Sequence, residues 1–322
     1  MSEHASIRKR FKISKNRREI TMFFVMLGMF AVGFVISPAF RSVNNVLNIL
    51  NQNAIYGIMA LGMGCVILTG AIDLSAGSIV ALVGVIATPL FRDYGFVAGL
   101  FGGLATGAGL GLINGLIITK GKIGYFVTTL GMMSIARGAV YIITGGVPIQ
   151  GVPSEYNVIG MGKIGVVPVA ALIWLIALIV MYSVLKYTRL GQYLYAIGGS
   201  ENASWLSGID TDKMKIIAFT LEGFLCAIAG LILNTRVLMA TADAADGYEM
   251  TVIASCIIGG MAIDGGKGNI VGSAVGAIIM GLILNILQLM GVSSYWQKAV
   301  TGLIIIVAVG IERFSNPRKA EG

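Results

Sequence analysis

Apolar residues dominate this chain in long runs separated by short polar breaks. Ten such runs can be marked, over 21–40, 51–70, 76–91, 95–119, 125–143, 164–186, 214–234, 249–263, 269–291 and 296–312. A helix of ~20 apolar residues matches a hydrocarbon core ~30 Å thick. The pattern therefore predicts an all-α fold, a polytopic transmembrane helical bundle of about ten spans. The third, eighth and tenth runs are short for a full crossing, so they are expected to be tilted, re-entrant or broken. One polar island, Tyr187 to Lys213, interrupts the pattern. Within it Gly198-Gly199 reads as a flexible break, Ser200 as a helix N-cap with Glu201 in the first turn, and Gly208 as the residue that ends the helix. The predicted helix, Glu201 to Ser207, is too short to be stable alone in water. It either packs on its own membrane domain or docks on a partner.

Composition agrees with the pattern. Hydrophobic residues make up 56% and charged residues 12%, roughly half the charged share of a soluble domain. Mean hydropathy is +0.86. The 45 glycines favour close helix packing and broken helices. Cys65, Cys226 and Cys256 lie in apolar runs and imply no disulfide framework, and the single histidine, His4, leaves no basis for a zinc or haem site. No span contains a histidine or a nucleophile–base motif, which argues against a membrane-embedded enzyme.

Charge placement gives an orientation. With the N-terminus inside, the inner side holds seventeen of the 23 basic residues, seven of them in the tail before the first span. The outer side holds Arg41, Arg92, Lys163, Arg236 and Lys298, and Arg137 lies within a span. This bias predicts both termini in the cytoplasm and the island on the same side. The basic tail is expected to rest on anionic membrane lipid rather than on nucleic acid. The first apolar run is too long for a cleavable signal peptide.

Asp73, Arg137 and Glu222 lie in or at the edge of apolar runs, where a charge costs at least ~2.5–3.5 kcal/mol unless it faces a partner or water. Arg137 and Glu222 either pair with each other or serve the pathway. Asp73 sits in Thr69-Gly70-Ala71-Ile72-Asp73-Leu74-Ser75-Ala76-Gly77-Ser78, a string suited to a broken helix. There Asp73 or Ser75 either caps the next segment or lines a translocation path. A shorter echo, Ala262-Ile263-Asp264 followed by Gly268, recurs later. Asn44, Asn48 and Asn51 share a helical face with Tyr56 beyond. Such amides beside an aromatic suit an uncharged polyhydroxylated ligand, or else make interhelical hydrogen bonds. Asn114, Asn234, Asn285 and Gln288 carry the same ambiguity.

Taken in order, several strings resemble the permease subunit of the ribose-type monosaccharide ABC importers over nearly the whole chain. They include Ile72-Asp73-Leu74-Ser75, Asn114-Gly115, Thr129-Leu130-Gly131 with Arg137-Gly138, and Thr188-Arg189-Leu190-Gly191. Ala196-Ile197-Gly198-Gly199, Ser207-Gly208-Ile209, Gly247-Tyr248-Glu249 and Gly265-Gly266-Lys267-Gly268 continue the series. The resemblance implies a dimeric permease, as homodimer or heterodimer. It also implies a cytoplasmic ATPase with two fused nucleotide-binding halves and a periplasmic sugar-binding protein. It divides the chain into a basic cytoplasmic tail over 1–20, a transmembrane domain over 21–313 with a coupling loop at about 187–213, and a cytoplasmic tail over 314–322.

The resemblance places ATPase coupling on Gly199, Ser200, Glu201, Asn202, Ala203, Trp205, Leu206 and Gly208. Ser200, Ser204 and Trp205 depart from the usual residues of that segment, and Ala71 replaces a common glycine. Residues expected along the translocation path are Asp73, Ser75, Asn48, Asn51, Tyr56, Asn114 and Arg137. The chain lacks a phosphate-binding loop ending in Lys and Ser or Thr, so it is expected to bind no cofactor, ATP being used by the partner. The rival reading is an ion-coupled secondary transporter using Asp73 and Glu222, which leaves the polar island without a purpose.

Overall fold

The computed structural model describes residues 22–315; the basic tail over 1–20 and most of the tail over 314–322 lie outside the described residues. Twelve α-helices dominate the described residues. α1 (Met22–Ile36) leads through a 3₁₀ turn to α2 (Val43–Leu68), α3 (Ala76–Thr119) and α4 (Tyr125–Thr144). A loop with the short α5 (Asn157–Gly160) precedes α6 (Val169–Tyr187). The polar island holds α7 (Arg189–Gly199) and α8 (Glu201–Leu206). Then come α9 (Thr211–Val237), α10 (Tyr248–Ile258), α11 (Ile270–Leu289) and α12 (Ser294–Ser315). Four two-residue strands make two small antiparallel pairs in the loops; one joins Ile149–Gln150 to Met239–Ala240.

Seven of the described helices are long and apolar enough to cross a membrane, and α1 and α10 are shorter apolar helices. α3 accounts for two predicted runs. It carries Pro89 and breaks at Gly95, whose φ of 82° lies in the left-handed region. Asn114, near its end, hydrogen-bonds Asp73 and Ser75, which precede its start. The chain therefore doubles back at Gly95, and each of the ten apolar runs has a helical counterpart.

α2 is the axis of the bundle. From Asn53 to Leu68 every residue is buried, as expected of a helix apolar on all sides. α3 and α9 pack through glycines at four-residue spacing, Gly103, Gly107, Gly111 and Gly115. A Cβ at Gly107 would strike the Gly223 carbonyl and at Gly111 the Phe219 carbonyl. Small residues of this kind let backbones approach where lipid removes the hydrophobic drive for helix association. Asn234 adds a polar tie, its Nδ2 donating to the carbonyl of Gly84 (2.9 Å) and to Thr88 Oγ1 (3.0 Å). The outer helices leave large apolar side chains exposed, among them Phe126, Ile142, Ile176 and Ile306, in keeping with a lipid-facing surface.

The polar island differs from expectation in one respect. Gly198-Gly199 is not a flexible break but the last two residues of α7. The missed helix buries Gly191, Leu194 and Ile197, so packing against the bundle outweighs the low helix propensity of its glycines.

Candidate functional site

Two regions bring polar side chains into the apolar bundle, and a third exposes apolar side chains outside it. The first is the break between α2 and α3. Asp73 is fully buried. Its Oδ1 accepts the backbone N–H of Ser75 (2.7 Å) and the Ser75 hydroxyl (2.5 Å). Asn114 Nδ2 donates to Asp73 Oδ2 (3.2 Å) and to Ser75 Oγ (2.9 Å). Asp73, Ser75 and Asn114 thus form one cluster tying the start of α3 to its end. Glu222 on α9 joins it: its carboxyl lies against that of Asp73 and accepts from Cys226 Sγ (3.0 Å), while Oε2 finds no donor.

Of the two alternatives for Arg137, pairing with Glu222 does not occur. Arg137 Nη1 instead donates to the carbonyls of Ala242 (2.8 Å) and Ala244 (2.9 Å). Hydropathy gives the depth of a charge in a span but not the direction it faces, and α4 faces the 238–247 loop at this point.

That loop and α10 make the second region. With 11 residues, α10 is ~16 Å long, about half a hydrocarbon core. Its start abuts the start of α3, and a Cβ on Gly77 would collide with Glu249 Oε2 and the Ala245 carbonyl. Leu238, Ala245 and Gly247 all adopt positive φ, and Arg137 holds the carbonyls between them.

A cavity of about 400 Å³ opens beside this loop, bordered by Gly84, Gly230, Asn234, Thr241, Asp243 and Tyr248. A second, of about 280 Å³, is bordered by Tyr56, Asp246, Thr251, Gln297 and Lys298. Tyr56 accepts from Gln52 Nε2 (3.2 Å) and meets Tyr248 edge-on at 4.8 Å between ring centres. Tyr248 and Asp246 border both cavities. Around these cavities the amides and hydroxyls donate and accept hydrogen bonds, the carboxylates accept and Lys298 donates, the mixture an uncharged polyol requires.

Of the expected pathway residues, Tyr56 borders a cavity and Arg137 braces the loop that shapes one. Asp73, Ser75, Asn114 and Asn51 are buried and border neither, and Asn48 is exposed near the start of α2. Asp243, Asp246, Thr241 and Lys298 were not singled out from sequence. The available signal was the acidic string Asp243 to Glu249, set between two apolar runs.

The third region is α8. Ser200 Oγ accepts the N–H of Ala203 (3.3 Å). The far end closes with Gly208 N–H on Trp205 O (2.9 Å) and Ile209 N–H on Ser204 O (3.1 Å), Gly208 having φ of 83°, a Schellman stop. The predicted cap, helix and terminating glycine are all present. Ser204 is buried, whereas Trp205 and Leu206 are 67% and 77% exposed. Glu201 pairs with Lys215 (2.6 Å). A cleft of about 440 Å³ runs beside the helix, bordered by Lys122, Glu201, Asn202, Trp205 and Asp212.

Comparison with known proteins places these features in context. A family described as "Branched-chain amino acid transport system / permease component" matches residues 45–309. The ribose import permease of Escherichia coli K12 is 40% identical over 292 residues, covering 89% of this chain and 91% of that protein. The corresponding protein of Bacillus subtilis 168 is 40% identical over 293 residues, with the same coverage. A D-allose transport system permease of E. coli K12 is 32% identical over 317 residues, 97% of each chain. No solved structure gave a significant match.

Proposed function

We propose a function from one premise: this chain belongs to the family of transport-system permease components. It is the pore-forming subunit of an ATP-driven importer and carries a monosaccharide across the bacterial cytoplasmic membrane by alternating access. The observation that carries this reading is α8, a two-turn helix capped at both ends that turns Trp205 and Leu206 to solvent. So much apolar surface on so short a helix calls for a partner. In this reading the partner is a cytoplasmic ATPase with two fused nucleotide-binding halves. Gly199, Ser200, Glu201, Asn202, Ala203 and Gly208 shape the helix that docks on it, and ATP is bound and hydrolysed by the partner alone.

A periplasmic sugar-binding protein delivers the ligand, and a second permease subunit completes the pore. Both termini lie in the cytoplasm. The sugar passes the cavities around Tyr56, Asn234, Asp243 and Tyr248, with Arg137 bracing their loop. Asp73, Ser75 and Asn114 hold the broken helix that lets α3 begin beside them. Asn48, exposed near the start of α2, marks the approach, and the buried Asn51 supports that turn of the helix. Relatives named for ribose and allose support a monosaccharide, and ribose is the first sugar to test.

The test is uptake of labelled ribose into proteoliposomes containing the chain, its ATPase and the binding protein. Uptake is expected to need ATP and the binding protein, to persist with a protonophore, and to be absent with labelled leucine. The Asp73–Glu222 contact is the one feature favouring an ion-coupled carrier. Uptake that collapses with the proton gradient despite ample ATP would establish that rival.

A further inference from the structure

The coupling helix and the broken helix meet through close backbone contacts. Three segments meet where α7 ends: Gly198 and Gly199, the Leu68–Gly70 end of α2, and Gly265–Gly266 in the α10–α11 loop. Gly266 N–H donates to the Leu68 carbonyl (3.0 Å). A Cβ on Gly198 would fall on the Leu68 carbonyl oxygen and the Gly266 nitrogen. One on Gly265 would come within 2.6 Å of Gly70 N, and one on Gly266 within 2.6 Å of Gly199 N. Gly70, Gly265 and Gly266 also have φ of 82°, 84° and 69°, which other residues adopt only at a cost. Tyr195 Oη adds a tie to the Gly268 carbonyl (3.0 Å).

On one side of this contact, Ser200 caps α8 two residues after Gly198. On the other, Asp73 follows Gly70 by three. We infer that this glycine contact is the joint through which displacement of α8 reaches the α2–α3 break and the α10–α11 loop, with Gly198 and Gly266 as its positioning residues. This inference rests on the coupling role proposed above for α8. A side chain between two elements can rotate and absorb a shift of an ångström or so, whereas main chain against main chain cannot, and close-packed contacts transmit strain. Gly109 in α3 supplies a control, because a Cβ there meets nothing within 4 Å and the residue belongs neither to the joint nor to the coupling helix.

The experiment uses the full complex with ATPase and binding protein. Gly198→Ala is expected to insert and to co-purify with the ATPase as wild type does. Sugar uptake, and stimulation of ATP hydrolysis by the loaded binding protein, should fall by about tenfold, within the usual range of coupling between sites. Gly109→Ala should stay close to wild type in both, and Tyr195→Phe should fall between wild type and Gly198→Ala. If Gly198→Ala transports as wild type does, the joint is wrong.

Should Gly198→Ala fail to insert, spin labels at Asn202→Cys and Lys267→Cys, with the three native cysteines replaced, decide the matter. Both positions are exposed. Their separation should hold constant between the nucleotide-free and ATP-trapped complexes, and a change in it would overturn the joint. Wild-type uptake without ATP would instead overturn the coupling reading itself, a different and recognisable failure.

Discussion

At the scale of single residues, the hydrogen bonds of Asp73 decide what its substitution does. Its Oδ1 takes two bonds from Ser75, and its Oδ2 takes one from Asn114. Asp73→Asn keeps an oxygen for Ser75 but sets an amide NH2 against Asn114 Nδ2, a conflict that a flip of the Asn114 amide relieves by presenting its Oδ1, which has no donor. The variant is expected to fold and to transport close to wild type. Asp73→Ala strands the buried Ser75 N–H and should cost roughly 1–3 kcal/mol of stability, read as a lower midpoint of thermal unfolding in detergent. A stable Asp73→Asn protein that moved no sugar would assign the carboxylate itself a part in transport. Arg137 follows the same logic. Arg137→Ala leaves the carbonyls of Ala242 and Ala244 without their donor, and a cost of similar size is expected by the same measurement.

At the scale of elements, α8 separates folding from docking. Trp205 and Leu206 contribute little to the fold because most of their surface is already in solvent. Trp205→Ala with Leu206→Ala should therefore leave membrane insertion and thermal stability unchanged while abolishing co-purification of the ATPase. Normal transport by the double variant, with its ATPase retained, would remove α8 from the interface. Elements were also the scale at which the sequence was most legible. Each apolar run has its helix because run length is a one-dimensional property, and the α8 cap and stop are local chemistry. What escaped depends on direction and on distant contacts. Gly198-Gly199 reads locally as a break, and only the approach of Leu68 and Gly266 shows why glycine is needed. The cavity beside Tyr248 is bordered by α3 (Val80, Gly84), α9 (Gly230, Asn234) and the 238–247 loop, a meeting that no window of sequence contains.

At the scale of the whole molecule, α3 sets the topology. As a straight helix its 44 residues would reach ~66 Å, about twice the hydrocarbon thickness. Whether it crosses once or twice decides on which side every later segment lies. The hydrogen bonds from Asn114 back to Asp73 and Ser75 bring its two ends together, and the left-handed Gly95 marks the turn between them. Two crossings put Lys120 and Lys122 on the same side as α8, and both lysines reach Asp212 at the start of α9. The uneven placement of Lys and Arg is the ground for proposing that this side is cytoplasmic. Single cysteines test the arrangement in a protein lacking Cys65, Cys226 and Cys256. Tyr94→Cys, beside the turn and 75% exposed, and Lys163→Cys should react with a membrane-impermeant maleimide in cells whose outer barrier is opened but whose cytoplasmic membrane is intact. Asn202→Cys and Lys267→Cys should react only after that membrane is permeabilised. A single crossing by α3 would put Tyr94 within the bilayer and leave Lys163 and Asn202 on sides opposite to those expected. Labelling of Asn202→Cys in intact cells, with Lys163→Cys protected, would therefore overturn the ten-span arrangement.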